Sequence, residues 1–180
     1  MPRYAILLRG INLGAVNRLP MAELRAELAQ AGLADVETYL QSGNVALSAE
    51  QPDDLVARIE RLIEGRFGLR IPVMARSHGQ LREVVRANPF PEAAQDPKHY
   101  QVTFLSGIPD QVAFAGLAQL ATPEERVANR GREIYAWHPA AIHSSKLANG
   151  LTPAKLGVAQ ATARNWTTVN KLVEMTADER

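Results

Sequence analysis

The order in which strand-like and helix-like segments follow one another most restricts the fold of this sequence. Short runs of apolar residues and β-formers are typical of strands, and longer runs with an apolar stripe at helical spacing are typical of amphipathic helices. In chain order these runs are a strand at 3–10, a helix at 19–33, strands at 36–40 and 44–48, a helix at 53–68 and a strand at 71–76. This β-α-β-β-α-β order predicts an α+β protein of the ferredoxin-like plan, followed by a short helix that Ser77 caps.

The second half of the chain repeats the start of this order. Residues 100–107 are typical of a strand, residues 109–121 of a helix, and residues 126–137 of a hairpin that turns at Arg130 and Gly131. The inward-facing residues predicted for this helix are Val112, Ala113, Leu117 and Leu120. No clear closing strand follows the hairpin, and the chain ends in helical segments.

These patterns predict two ferredoxin-like-related subdomains that arose by internal duplication. The first is a βαββαβ subdomain with an extra helix over residues 1–88, and the second is a βαββ subdomain with C-terminal helices over residues 100–180. Residues 89–99 contain three prolines and are typical of a connector.

Composition excludes several kinds of chemistry. The 180 residues include no cysteine, which excludes thiolate catalysis, disulfides and cysteine–zinc sites. The four histidines are scattered and have no acid at ligand spacing, so we predict neither a metal nor a cofactor. Glu124 and Glu125 lie at the start of a loop and show no sign of desolvation. The apolar run near the N-terminus is too short for a signal peptide or a membrane span, so we expect a cytoplasmic protein that does not bind membranes.

Two polar stretches follow the first two predicted strands. Because strands joined by a βαβ crossover are parallel, the ends of these two strands meet at one edge of the sheet. The edge is rich in hydrogen-bond donors, carries a fixed cation and contains no carboxylate, which suits a phosphate or carboxylate ligand. A second interpretation is that the glycines form tight turns and the asparagines satisfy loop backbone without any ligand. The candidate ligand-binding residues here are Arg9, Gly10, Asn12, Gln41, Ser42, Gly43 and Asn44.

The C-terminal helix carries the second candidate cluster. With Thr162 as its cap, the helix places Arg164, Thr168 and Lys171 on one polar stripe. Arg164 then lies in the first turn, where the helix dipole disfavours a cation, so we expect a compensating anion. The alternative is an ordinary solvated face. The candidate ligand-binding residues of this half are Lys146, Arg164, Asn165, Thr168 and Lys171.

Charge is uneven along the chain, although the formal net charge is only +1. Residues 126–171 include seven lysines and arginines but a single acidic residue, which gives this segment a local net charge of +6. Such a segment suits a polyanion, or an acidic surface on the first half of the protein.

Several motifs together resemble a bacterial family, domain-of-unknown-function family 1697. They are "YAILLRGINLG", "MAELRAELAQAGLADVETYLQSGNV", "NPFP" and "TARNWTTVNKL", in the same order as in the family. The resemblance implies two α+β subdomains but no established activity. It maps the recurrent family motifs onto both candidate clusters except Lys171, together with Ser145 and Trp166. This chain has Ala15-Val16 where members often have Gly-Lys, and His143-Ser144 where Gly-Arg is common.

Three hypotheses follow for the function. The first is a binding module that holds a phosphate- or carboxylate-bearing ligand between the Arg9/Gln41 edge and the Arg164/Lys171 helix. The second is a small enzyme acting on an anionic metabolite in the same cleft, with Asn44 or Asn165 orienting the substrate, although no acid or base is evident for it. The third is a nucleic-acid or protein adaptor that uses the basic C-terminal half.

Overall fold

The first part of the chain forms a four-stranded antiparallel sheet with two helices. The protein is described by a computed structural model that covers residues 1–50 and 53–177. The elements in chain order are β1 (Arg3–Leu8), α1 (Met21–Gln30), β2 (Ala34–Tyr39), β3 (Asn44–Ser48), α2 (Leu55–Phe67) and β4 (Val73–Ser77). The strand order in the sheet is β2-β3-β1-β4, and every neighbouring pair is antiparallel. This is the predicted ferredoxin-like arrangement.

One face of this sheet packs against α1 and α2 and forms a single apolar core. Alternate residues along a strand point to the same face, so Ile6 and Leu8 of β1 enter this core together. The helices contribute residues at helical spacing, such as Leu24 and Leu28 on α1 and Ile59 on α2, all completely buried.

A second sheet of the same strand order follows. After α3 (His78–Arg86) and a 3-10 helix (Pro91–Gln95), the elements are β5 (Tyr100–Leu105), α4 (Gln111–Ala118), β6 (Arg126–Arg130), β7 (Glu133–Trp137), α5 (Lys146–Gly150), α6 (Pro153–Leu156), β8 (Ala161–Asn165) and α7 (Trp166–Thr176). The order is β6-β7-β5-β8, again antiparallel throughout. Two short helices, α5 and α6, replace the single second helix of the first sheet. Together the two sheets confirm the predicted α+β fold class.

The end of the chain differs from the prediction in one respect. Residues 161–165 form the closing strand β8, whereas the sequence predicted no closing strand and a helix capped by Thr162. This strand consists of small and polar residues, so it lacks the apolar run by which strands are recognised. Helix α7 begins only at Trp166, where the Asn165 side chain accepts the Thr168 N–H at 2.9 Å. Arg164 therefore lies on a strand and not in the first turn of a helix.

Helix α4 also presents a different face from the one predicted. Val112 is 83% exposed and Leu120 is exposed as well, whereas Leu117 is buried and Phe114 packs against the core of the second sheet. Phe114 and Leu117 are three positions apart and lie on one face of the helix. Burying Phe114 removes more apolar surface from water than burying Val112, which explains the orientation.

The division into compact units falls at other positions than the predicted boundaries of 1–88, 89–99 and 100–180. The first unit comprises Met1–Arg82 together with the chain from Leu172 onward, and the second comprises Glu83–Lys171. The end of α7 thus belongs to the first unit, where the buried Thr176 hydroxyl lies 3.1 Å from Nδ1 of His78. Residues 89–99 contain the 3-10 helix and are not a bare connector.

No helix among the residues that the structure describes is long and apolar enough to cross a membrane.

The close approach of the β2–β3 turn to β1 gives a stability prediction. Gly43 has a left-handed φ of +84°, and a Cβ added to it would lie 2.7 Å from Cβ of Leu8. Gly43→Ala is therefore expected to reduce the free energy of unfolding by about 2–5 kcal/mol, from left-handed strain and overpacking together. Gly14 has a similar φ of +61° but open space around it, so Gly14→Ala should cost only about 1–2 kcal/mol. Urea unfolding measures both, and equal losses would contradict the close approach.

Candidate functional site

Two loop segments meet at one edge of the first sheet, and we call residues 9–18 and 40–44 the rim. Strand β3 pairs with β1 on one side and β2 on the other, so Leu7, Asn44 and Tyr39 lie in one row across the sheet. One residue further on, the Leu8 N–H donates to the Gly43 carbonyl at 2.8 Å. The structure therefore brings the end of β1 to the β2–β3 turn, as the crossover argument requires.

Hydrogen bonds from Asn12 connect the two segments of the rim. Its side-chain amide donates to the Gln41 carbonyl at 2.7 Å and to the Leu19 carbonyl at 3.0 Å. Its side-chain oxygen accepts the Leu19 N–H at 2.9 Å, and its own N–H donates to the Asn17 carbonyl at 3.0 Å. Asn12 thus satisfies loop backbone, and the conformation of residues 12–19 depends on it.

Two further asparagines support the same loops. The Asn17 amide donates to the Gly10 carbonyl at 3.0 Å. Asn44 is completely buried, and its amide donates to the Tyr39 carbonyl and to the Ser42 hydroxyl, each at 3.0 Å. The amides of the rim asparagines are therefore engaged within the fold, so Asn44 is not placed to orient a substrate.

The rim concentrates unusual backbone conformations. Of the eleven described residues with a positive φ, six lie in the rim. Three of these six are not glycine, and Leu40, with a φ of +58°, is the least suited to this region because its side chain offers no local hydrogen bond. Backbone in such sparsely populated regions persists only where surrounding interactions impose it, and it is concentrated at functional sites.

The charged and polar side chains that remain available at the rim are cationic or neutral. The side chains of Arg9 and Arg18 form no hydrogen bond or ion pair with any other residue that the structure describes, and Arg18 is exposed. Gln41 is exposed beside them, whereas the Ser42 hydroxyl, although exposed, already accepts the Asn44 amide. The rim contains no carboxylate of its own. Its chemistry therefore favours an anionic group over a cation.

The second candidate cluster does not form one surface. Arg164 is buried on β8, where its guanidinium donates to the Thr162 hydroxyl at 2.7 Å and to the Ala163 carbonyl at 2.8 Å. Burial lowers the pKa of Arg164 to about 10, which still leaves it charged at neutral pH. Of the other predicted residues, Lys146 is exposed at the start of α5, Lys171 is half-buried on α7, Asn165 caps α7, and Thr168 is buried. The helical stripe of Arg164, Thr168 and Lys171 that the sequence predicted is therefore wrong.

Sequence reasoning missed a buried polar network in the second unit. The Glu125 carboxylate accepts hydrogen bonds from Nδ1 of His138 at 2.6 Å, from the Ser145 hydroxyl, and from the Thr122 N–H at 2.9 Å. The Ser145 hydroxyl in turn accepts the Ala148 N–H at 3.0 Å and so caps α5. Glu125 is buried, contrary to the expected solvated loop. The pairing of Glu125 with a histidine thirteen positions later is a tertiary contact that has no local sequence signal.

The network fixes the ionisation of Glu125. Burial by itself raises the pKa of the carboxyl, but the hydrogen bonds from His138, Ser145 and Thr122 outweigh it and lower the pKa below its ordinary value. The network joins three segments of the second unit and keeps Ser145 engaged with Glu125 and Ala148, so Ser145 is not positioned as a nucleophile. Nε2 of His138 is buried and has no hydrogen-bond partner among the described residues.

Within residues 1–50 and 53–177, no histidine or carboxylate side chain forms a hydrogen bond with Asn12, Asn17, Arg9 or Arg18 of the rim. Nor does any group of three or more histidine or acidic side chains in these ranges lie close enough together to hold a metal ion. The arrangement offers hydrogen-bond donors and positive charge.

A substitution at Asn12 tests how the rim is held together. Asn12→Gly removes the side-chain hydrogen bonds but leaves a residue that adopts a positive φ without strain, so it isolates the contribution of the side chain. We expect a loss of about 1–3 kcal/mol, because the Leu19 N–H and the Gln41 carbonyl lose partners. Hydrogen exchange of the amides of residues 10–19 should accelerate. Unchanged exchange would show that the asparagine does not brace the loop.

A second substitution tests the buried network. Glu125→Gln leaves an amide that cannot accept from three donors at once, so the free energy of unfolding at pH 7 should fall by about 1–3 kcal/mol. Folding lowers the pKa of Glu125. The wild type is therefore more stable than Glu125→Gln by the full amount above the unfolded-state pKa of about 4.3, and this difference in the free energy of unfolding is lost as the pH falls through the lower pKa of the folded state. Urea unfolding between pH 3 and pH 7 follows this difference. The exposed neighbour provides a matched control, since Glu124→Gln should change stability little at any pH.

Comparisons with known proteins agree with this description of the fold. The structure of SP0830 from Streptococcus pneumoniae, described as a conserved bacterial protein, superposes with a TM-score of 0.78 and 24% sequence identity, covering 98% of this chain and 99% of that one. No curated protein matches the chain. A family model described as a protein of unknown function, DUF1697, matches residues 1–135. Since this model spans most of the 180 residues, the chain belongs to the DUF1697 family.

Proposed function

We propose that the protein is a binding module and that its rim takes a ligand bearing a phosphate or carboxylate group. The observation that carries this proposal is the Arg9 guanidinium, which has no partner among the described residues and lies in a rim without carboxylates. A guanidinium presents paired N–H donors that match the two oxygens of a carboxylate or phosphate.

The bracing of the rim supports binding through a preformed surface. Asn12 and Asn17 hold residues 10–19 by hydrogen bonds to backbone, so little conformational freedom remains to be lost when a ligand arrives. A site that is already ordered binds more tightly than one that must be ordered by its ligand.

Binding is favoured over catalysis at this rim. General acid–base catalysis needs a titratable group within hydrogen-bond reach of the substrate, and within the described ranges no histidine or carboxylate is bonded to Asn12, Asn17, Arg9 or Arg18. The enzyme hypothesis also requires Asn44 or Asn165 to orient the substrate. Asn44 is buried with its amide bonded within the turn, and the Asn165 side chain caps α7.

We further propose that the two units are the products of an internal duplication. The same strand order supports this, and so does an Ala-Arg dipeptide followed by a short polar residue at the end of each fourth strand, Ala75-Arg76-Ser77 and Ala163-Arg164-Asn165. In both, the arginine is buried and donates to the carbonyl of the preceding alanine, and the third residue caps the next helix.

A thermal-shift screen tests the proposed function. The probes are inorganic phosphate, sulfate, acetate, nucleotides, sugar phosphates and a short RNA. A ligand at 100 times its dissociation constant should stabilise the protein by about 2.7 kcal/mol. Arg9→Ala should abolish the shift, whereas Arg61→Ala on α2, an exposed arginine of the same unit with no described partner, should leave it intact.

Two results would contradict the proposal. One is the absence of a shift with every anion, and the other is a shift that Arg9→Ala leaves unchanged. Stabilisation by the RNA alone that survives Arg9→Ala and weakens steeply with salt would indicate instead a polyanion site on the basic segment 126–171.

A further inference from the structure

We infer that the ligand of the rim is a segment of another protein that carries carboxylates beside aliphatic side chains. This inference rests on the proposed function and specifies its ligand. It comes from an exposed apolar surface that anion binding alone does not explain.

The apolar side chains of the rim are exposed to solvent. Leu13 is 68% exposed, Val16 is 62% exposed and Leu40 is 56% exposed. They are three of the seven large hydrophobic residues that are exposed in the described chain, although the rim has only fifteen residues. Single exposed apolar residues are ordinary, but several at one edge mark an interaction surface.

Leu13 and Val16 stand at the tip of a small, formed hairpin. They are bridged as an antiparallel pair, and the Val16 N–H donates to the Leu13 carbonyl at 3.2 Å. Residues directly opposite in such a pair place their side chains beside each other. All four residues from 13 to 16 are exposed, so the hairpin presents its tip outward as a surface for contact.

Leu40 combines a strained backbone conformation with an exposed side chain. A leucine with a φ of +58° costs stability, and its exposed side chain regains little of that cost by burial. The Gln41 carbonyl next to it is held by Asn12, so the same hydrogen bond fixes the hairpin and the residue that follows Leu40. The apolar residues are therefore displayed on fixed backbone, which suits recognition without rearrangement.

The charge and shape of this surface favour an acidic protein segment. Arg9 and Arg18 flank the hairpin and the rim has no carboxylate, so a complementary partner is negatively charged. Nucleic acid is a poorer match, because single strands are bound by stacking on aromatic side chains and the rim has none. Small molecules bind in concave pockets, whereas the tip of this hairpin is exposed at four consecutive residues.

The test is a selection of 12-residue peptides from a random displayed library on the immobilised full-length protein. Enriched sequences are synthesised, and their affinity is measured by fluorescence anisotropy. We expect the enriched peptides to contain more Asp and Glu together with Leu, Ile and Val than the input library. Val16→Asp removes apolar surface and adds a negative charge that repels the carboxylates of the peptide, so it should weaken binding at least tenfold. Arg9→Ala should weaken binding to the same extent.

Two matched variants control this experiment. Val112→Asp changes a valine that is at least as exposed on α4, and Arg61→Ala removes an arginine outside the rim. Each should leave the affinity within twofold of the wild type. Because Val16 and Val112 are both exposed, neither substitution should unfold the protein, and circular dichroism verifies this.

Three outcomes would overturn the inference. The first is that no peptide binds above background, and the second is that Val16→Asp does not change the affinity of the peptides. The third is that RNA binds in a way that requires Arg9 while no peptide binds. If phosphate or acetate still gives a thermal shift that requires Arg9 while no peptide depends on Val16, the proposed function stands and this inference alone fails. If neither the anions nor the peptides bind, both fail.

Discussion

The central position of β3 in the first sheet determines where the polar loops of this protein lie. Because β3 pairs with β1 on one side and β2 on the other, the ends of those two strands reach the same edge. Asn44 is completely buried in the last paired row, and its side-chain amide stabilises the adjacent turn by donating to the Tyr39 carbonyl. A slip of one residue in either pairing would turn the apolar residues of β3 to the wrong face, so the core specifies the register and the register assembles the rim.

The sequence predicted the elements that have a strong local signal. Strands β1 to β7 and helices α1 and α2 combine apolar periodicity with turn residues, and they form where these patterns indicate. Strand β8 has no such pattern, since Arg164 and its small neighbours become a strand only by pairing with β5. Burial of Glu125 was equally unpredictable, because its partners His138 and Ser145 come from distant positions. For the rim, topology predicted that the segments meet, but only the structure shows that the asparagines serve the backbone.

The second sheet shows which features of the first are required by the fold. Its strand order is identical, yet only five residues connect β5 to α4, whereas twelve connect β1 to α1. Likewise, two residues join β6 to β7, and four join β2 to β3. A five-residue connection is thus sufficient for this topology, and such connections are usually short.

The additional residues of the first unit include the hairpin at Leu13 and Val16, with its strained and exposed residues. Ile11 and Leu19 of this connection enter the core, but residues 13–16 are all exposed and closing the sheet does not require them, so neither topology nor the core accounts for the hairpin tip. The recognition of a ligand that we propose requires exposed side chains on a backbone held in place by hydrogen bonds, and this hairpin provides both.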